Sequence, residues 1–256
     1  MKKIIKRVYL VWGVFWFLAV FLALLPLFAI IILYPGKKLH HLAYYLNKVW
    51  AHCAYLFMGA PVTIERKEKL DKKQPYVFCA NHTSFLDTPA VGMVSNRFAV
   101  FLGKDALVKA PLFGWMFRNL HIPVYRGQRG NFNYVIESSC AAVDRGHSLG
   151  VFPEGTMNRK PPVVKQMKEG GFVIAIKKQI PIVPITLLHN WKLWPSLAPE
   201  LSWCPVKIVQ HEPIETTGLT TKDIPMLKKQ VMDTINAELA QYFPEYYQTT
   251  LEEEVK

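Results

Sequence analysis

His82 and Asp87 stand five residues apart in the segment Cys79-Ala80-Asn81-His82-Thr83-Ser84-Phe85-Leu86-Asp87. A histidine whose ring is held by a carboxylate takes a proton from a hydroxyl at neutral pH, so the pair has the makings of a general base and its orienting partner. The spacing argues against one continuous helix through both, because five helical steps turn the side chains well apart. Tyr76–Ala80 reads instead as a buried strand, with Thr83 or Ser84 capping the helix that follows. That puts His82 in the strand-to-helix turn and Asp87 in the first helical turn, able to reach back. A purely structural reading exists as well. Ser84-Phe85-Leu86-Asp87 has the form of a capping box with an acidic third residue, and an aspartate suits a helix N-terminus. This segment alone leaves both readings open.

Three further segments bear on the choice. In Val151-Phe152-Pro153-Glu154-Gly155-Thr156 an apolar run from Leu149 ends in a tight turn, where backbone N–H groups can face a ligand and a carboxylate can hold a substrate hydroxyl. Ile122-Pro123-Val124-Tyr125-Arg126 is a short strand ending in an arginine, whose rigid fork of donors suits a phosphate. A lone arginine there is also simply solvated in many proteins. Ile180-Pro181-Ile182-Val183-Pro184-Ile185-Thr186 is an apolar strand whose prolines argue for an edge position or a strand start.

In this order the segments resemble the glycerolipid acyltransferases of the lysophosphatidic acid acyltransferase family. Members carry an N-H-x-x-x-x-D block, an arginine-ended second block, an F-P-E-G-T block and a proline-containing apolar fourth block. Lys104, Leu107, Pro111-Leu112-Phe113-Gly114-Trp115 and Lys168-Glu169-Gly170 also fall where the family has similar residues. The similarity runs from Tyr76 to Thr186. It implies that His82 is the general base and that Asp87 holds its tautomer. It further implies that Arg126 and Lys104 bind the acceptor phosphate, and that Glu154, with Gly155 and Thr156, orients the acceptor's glycerol. Backbone N–H groups near Gly155 are the expected donors to the oxyanion. One position departs from the pattern: where the family has an arginine directly after the threonine, this chain has Met157. Arg159, two places on, is the residue available to supply that charge. The departure bears on the acceptor headgroup more than on the chemistry.

The elements that must position these residues follow from the pattern of the whole chain. Strands are expected near Tyr76–Ala80, Phe98–Leu102, Ile122–Tyr125, Leu149–Phe152, Ile182–Leu187 and Val206–Gln210. Helices are expected at Ser84–Val94, Pro111–Asn119, Asn131–Arg145 and Glu169–Lys178. In Lys222–Tyr242 the apolar residues Ile224, Leu227, Val231, Ile235 and Leu239 form one helix face that packs on the domain. Strands alternating with helices predict an α/β fold, a mixed and largely parallel sheet flanked by helices. Ligand sites in such sheets gather at strand ends. His82, Arg126 and Glu154 all stand at or just past predicted strand ends, so one shared cleft is expected.

The N-terminus has a different character. From Val8 to Tyr34 there is no charged residue, a run long enough at ~1.5 Å per residue to cross a ~30 Å hydrocarbon layer. Tyr9, Trp12, Trp16 and Tyr34 fall near its ends, as interfacial aromatics do. It is too long for a signal-peptide core and lacks a small-residue cleavage site. Pro26 can kink it, Pro35-Gly36 marks a turn, and a partly apolar helix follows from Leu39 to Met58. Lys2, Lys3, Lys6 and Arg7 precede the run and Lys37 and Lys38 follow it, which sets no orientation by the positive-inside rule. The resemblance implies an alternative to a single span: a helix pair embedded in one leaflet, with both basic flanks at one anionic surface. The domains expected are membrane-anchoring helices over 1–60 and an α/β acyltransferase domain over 61–256.

The formal net charge is +12, from 31 Lys and Arg against 19 Asp and Glu. With no nucleic-acid motif, anionic lipid and a phosphate-bearing substrate account for it better than nucleic acid does. Cys53, Cys79, Cys140 and Cys204 show no metal-type spacing and read as reduced, mostly buried thiols in a cytoplasm-facing domain.

The resemblance implies a membrane-bound enzyme with its active site at the cytoplasmic face. Its partners would be the bilayer, a lysophospholipid acceptor and an acyl thioester donor, acyl-CoA or acyl-ACP, the latter bringing an acyl carrier protein. Neither a cofactor nor a metal is implied. The acceptor hydroxyl, activated by His82, attacks the thioester carbonyl; lysophosphatidic acid gives phosphatidic acid. Rival readings are an acyltransferase for a lyso-aminolipid or glycerol-3-phosphate, a thioesterase, and a non-catalytic lipid-binding protein.

Overall fold

The computed structural model describes residues 2–34, 37–195 and 200–247, so the turn expected at Pro35-Gly36 lies outside them. Helix α1 (Lys2–Leu33) continues through Pro26, and α2 (Lys37–Phe57) lies antiparallel against it. Trp16 stacks on Phe57 at 4.3 Å between ring centroids, while Phe17 and Phe21 meet Trp50 farther back along α2. The Tyr9 hydroxyl donates to Met58 O and the Trp12 indole to Phe57 O. Because α1 is apolar all round, it can bury one face and still present another apolar one. Phe21, Phe28 and Ile31 are buried, and Ile4, Val8, Val11, Phe15, Leu18, Leu22 and Leu33 point outward.

Seven strands form one sheet in the order β1-β7-β6-β2-β5-β3-β4. They are β1 (Val62–Arg66), β2 (Val77–Ala80), β3 (Ala99–Lys104), β4 (Ile122–Val124), β5 (Ser148–Val151), β6 (Ile182–Leu187) and β7 (Val206–Gln210). All pairings are parallel except β6 with β7, so the expected mixed, largely parallel sheet is what forms. Its helices are α3 (Asp87–Val94), α4 (Phe113–Leu120), α5 (Asn131–Asp144), α6 (Gly170–Lys178), the short α7 (Asn190–Leu193) and α8 (Ile224–Tyr242).

Alternation along the strands divides the core in two. Val77 and Cys79 of β2 face a layer built from α4, α5, α6 and α8, which also takes in Phe21, Phe28 and Ile31 of α1. Phe78 and Ala80 face the opposite layer, with α3, Tyr55 near the end of α2 and Met58 just past it. The helix pair is therefore part of the same packed body as the sheet. The α8 face foreseen from Ile224, Leu227, Val231, Ile235 and Leu239 is buried throughout.

Four expectations need correction. Strand β1 has no counterpart in the sequence reading, because an edge strand with Thr63, Glu65 and Arg66 among five residues offers no apolar run. Strand β6 is central rather than at an edge. Pro181 precedes it, but Pro184 sits inside it, tolerated because its nitrogen shares the β7 side with its carbonyl, which accepts from His211 N. There the pairing slips by one residue, from Ile182↔Ile214 to Ile185↔Gln210, so the missing N–H falls at a bulge. Helix α3 begins at Asp87, not Ser84, with Leu86 at the N-cap position and no side-chain cap. Finally, of the four thiols, all free, only Cys79 is fully buried, and burial pushes it up to about 12.

Candidate active site

The block that would have capped a helix makes a loop instead, and the carboxylate of Asp87 organises it. Asp87 is completely buried. Its Oδ2 accepts from the backbone N–H of Ser84 at 2.7 Å and of Thr83, and from the His82 ring, Nδ1 to Oδ2 being 2.9 Å. The Ser84 hydroxyl accepts from Leu86 N and donates to Trp194 O. The chain thus leaves β2, folds around one carboxylate and enters α3, whose first turn accommodates Pro89 without losing a helical hydrogen bond.

His82 is fixed from its other sides by the turn after β5. Its N–H donates to Glu154 Oε1 at 2.7 Å, and its carbonyl accepts from Asn158 N at 2.6 Å. The Phe152 ring stacks on the imidazole at 4.1 Å with 19° between planes. Adjacent parallel strands β2 and β5 bring the two motifs together at their C-terminal ends. With Nδ1 committed to Asp87, Nε2 is the ring atom left to take a proton.

Gly155 has φ +75°, a left-handed conformation that an L side chain rarely adopts. Its carbonyl accepts from the Arg126 guanidinium, which reaches over from the end of β4. On its other face lies Lys168: a Cβ built on Gly155 would fall 2.7 Å from Lys168 Cε and 3.0 Å from Nζ. Two cations therefore flank one glycine of the turn that holds His82. The N–H of Gly155 closes the turn onto Phe152 O at 2.9 Å, so among the N–H groups near Gly155 its own is already engaged.

The structure thus brings together some of the residues expected to share one site. His82, Asp87, Glu154, Gly155 and Arg126 form one connected group. Lys104 ends β3 beside Val124 of β4, two residues before Arg126. Thr156 and Arg159 are exposed on the turn and its continuation. None of these three side chains has a hydrogen bond or ion pair among the described residues. Sequence reasoning passed over Phe152 as a stacking partner and Lys168 as a neighbour of Gly155, and Asn190 altogether, whose amide donates to Asp87 Oδ1 at 2.9 Å. His121, just before the second block, is structural. It is packed half-buried among Phe98, Phe101 and Phe117, accepts from Phe101 N, and desolvation drives its pKa down to about 4. Among the described residues no three His, Cys, Asp or Glu side chains gather as a metal site requires.

Burial raises the Glu154 carboxyl to about 7 from its ordinary 4.5, with the charge of Asp87 adding to it and the His82 N–H opposing. The folded protein therefore holds a proton at Glu154 between pH 4.5 and 7 that the unfolded chain has released. Stability must fall as pH rises through that window and level off above it. Glu154→Gln, which keeps an acceptor for His82 N–H, is expected to lose this part of the decline. Melting temperatures of the two proteins from pH 5 to 8 check it; parallel curves would contradict it.

Comparison with known proteins adds the following. The family model described as Acyltransferase matches residues 61–188. A chloroplastic 1-acyl-sn-glycerol-3-phosphate acyltransferase of Brassica napus is 29% identical over 181 residues, covering 70% of this chain and 51% of that protein. The 1-acyl-sn-glycerol-3-phosphate acyltransferase of Saccharomyces cerevisiae is 29% identical over 224 residues, covering 84% of this chain and 72% of that one. The chain spans about half the length of the plant relatives it matches. The crystal structure of the 1-acyl-sn-glycerophosphate acyltransferase PlsC from Thermotoga maritima has the same fold. Its TM-score is 0.78 at 21% identity, covering 94% of this chain and 98% of that one.

Proposed function

The chain belongs to the acyltransferase family, and from that premise we propose that it moves a fatty acyl group from an acyl thioester, acyl-CoA or acyl-ACP, to the sn-2 hydroxyl of lysophosphatidic acid. The observation that carries the reading is the His82–Asp87 pair, with Nδ1 2.9 Å from a buried carboxylate and Nε2 left over. Nε2 takes the proton of the acceptor hydroxyl as its oxygen attacks the thioester carbonyl. The tetrahedral intermediate collapses, and the carrier leaves as its thiol with the proton from His82. Asp87 holds the tautomer and stabilises the imidazolium, as the aspartate does in serine hydrolases. General-base help supplies about 10²–10⁴-fold. The remainder comes from holding two lipids together and from donors to the oxyanion. With Gly155 N–H taken, the N–H groups of Thr156 and Met157, which have no acceptor among the described residues, are the nearest candidates.

Arg126 and Lys168, on either side of Gly155, are the proposed cradle for the acceptor phosphate, with Lys104 at the end of the neighbouring strand. Lys168 then supplies the positive charge missing at Met157; Arg159 makes no hydrogen bond or ion pair with this group among the described residues. Charge-assisted bonds to phosphate are worth ~1.5–3 kcal/mol. Lys168→Ala is expected to raise KM for lysophosphatidic acid about tenfold with kcat nearly unchanged. An unchanged KM would remove Lys168 from the cradle.

The helix pair is proposed as a monotopic anchor over residues 1–60, with 61–256 as the catalytic unit facing the cytoplasm. Segment Ile4–Leu33 is long and apolar enough to cross a membrane. However, Phe21, Phe28 and Ile31 share a core with the sheet, while Val8, Val11, Phe15 and Leu18 face outward. A helix packed on its own domain along one face and apolar on the other suits immersion in one leaflet.

The test is an acceptor panel. Detergent-purified protein would receive lysophosphatidic acid, glycerol-3-phosphate or a lyso-aminolipid, each with long-chain acyl-CoA and with acyl-ACP. Phosphatidic acid is the expected product. A product from another acceptor alone would overturn the substrate, and no product from any pairing would overturn the reaction.

A further inference from the structure

Every hydrogen bond to the Asp87 carboxylate comes from a donor. Oδ2 meets the His82 ring and the N–H groups of Thr83 and Ser84, and among the described residues Oδ1 has one partner, the Asn190 side chain at 2.9 Å. A carboxylate accepts and does not donate, so the Asn190 NH2 faces Asp87 and its carbonyl Oδ1 faces away. There the Tyr55 hydroxyl stands 2.9 Å off, and it must be the donor. Leu86 O, 3.1 Å from the same hydroxyl, is its other possible acceptor. Asn190 and Tyr55 are 0% and 1% exposed, so water cannot substitute for either.

We infer that Asn190 and Tyr55 are positioning residues for acyl transfer, acting on His82 through Asp87. The line Tyr55 O–H to Asn190 C=O, Asn190 N–H to Asp87, and Asp87 to His82 Nδ1 is continuous. Holding Oδ1 fixes the rotation of the carboxyl about its Cβ–Cγ bond, and with it the direction in which Oδ2 meets the imidazole. Both residues lie outside the four motif blocks. Asn190 opens α7, three residues past β6, and Tyr55 lies near the end of α2, so the anchor pair and the reacting histidine share one hydrogen-bonded chain. The inference rests on His82 and Asp87 serving the proposed reaction. Residues that merely packed would change stability and leave turnover alone.

The experiment measures kcat, KM for both substrates and melting temperature for Tyr55→Phe, Asn190→Leu, Asn190→Asp, the Tyr55→Phe/Asn190→Leu double variant and His82→Ala. Supporting partners of this kind typically matter by about 10–100-fold, so Asn190→Leu is expected to lower kcat by that amount with both KM values unchanged. Tyr55→Phe, which removes one oxygen and keeps the ring, is expected to lower kcat by about threefold to tenfold. The double variant is expected to be no slower than Asn190→Leu, because Tyr55 acts through Asn190. Should the Asn190 variants not fold, Tyr55→Phe decides alone. Wild-type kcat in Tyr55→Phe or in a folded Asn190→Leu, with His82→Ala inactive, overturns the relay and leaves the proposed reaction standing. Activity persisting in His82→Ala overturns both.

Discussion

Replacing His82 by alanine is expected to lower kcat by about 10²–10⁴-fold while the protein stays folded. The rate effect follows from geometry: Nδ1 is committed to Asp87, and Nε2 is the base available to the acceptor hydroxyl. Retention of the fold follows from how the residue is held. The backbone of His82 is bound at both its N–H and its carbonyl, to Glu154 and Asn158, and those bonds do not need the imidazole. The ring itself rests on Phe152 at a partly exposed site, so its loss opens a shallow gap rather than a sealed cavity. KM values for thioester and lysolipid are expected to move little, because neither substrate is held by the base. A variant that kept wild-type kcat would place the proton transfer elsewhere.

The isosteric change Asp87→Asn is expected to lower kcat by about 10²–10³-fold, the order seen when one preorganised charge partner is removed from a developing charge. The fold is again expected to survive, for a reason specific to this site. The N–H groups of Thr83 and Ser84 require an oxygen at the Oδ2 position, which the new amide can supply. Its NH2 then faces Asn190, whose own amide can turn over. The Tyr55 hydroxyl can give its proton to Leu86 O instead. Every hydrogen bond is restored, and the negative charge beside the imidazolium is lost. Asp87→Ala has no such remedy and is expected to leave buried donors unpaired, with a lower melting temperature as well. Steady-state kinetics with thermal melts separates the two variants; equal loss of stability in both would contradict this account.

Why some of this was legible in the sequence and some not has a physical answer. Strands β2 and β6 announce themselves because both faces of the sheet are covered, so they read as unbroken apolar runs. Strand β1 pairs only with β7 and carries polar residues, so no such run exists. His82, Asp87, Glu154 and Gly155 were visible because their chemistry is local: each pair lies within one turn or at the ends of neighbouring strands. Helix α3 starts later than its sequence suggests because Asp87, a residue suited to a helix cap, organises the loop before the helix instead. Asn190 and Tyr55 left no signal, and Lys168 showed only as part of Lys168-Glu169-Gly170, not as a neighbour of Gly155. An asparagine past a strand and a tyrosine on an amphipathic helix gain meaning only from neighbours far away in the chain, 103 residues in the case of Asn190 and Asp87. Met157 stands where the family pattern has a charge; nearby Arg159 is the substitute the sequence offers, while Lys168 is the cation that lies against Gly155.

The central claim is that His82 activates the acceptor hydroxyl for direct attack on the thioester, with no acyl-enzyme and no role for water as acceptor. Its most direct test is release of free thiol from long-chain acyl-CoA by wild-type protein, followed with and without lysophosphatidic acid, with His82→Ala as background. No release above background is expected without acceptor. With acceptor, one thiol per phosphatidic acid and no free fatty acid are expected. A burst of one thiol per protein without acceptor would mean a covalent acyl-enzyme, and steady release with free fatty acid would mean a thioesterase; either result would contradict the mechanism.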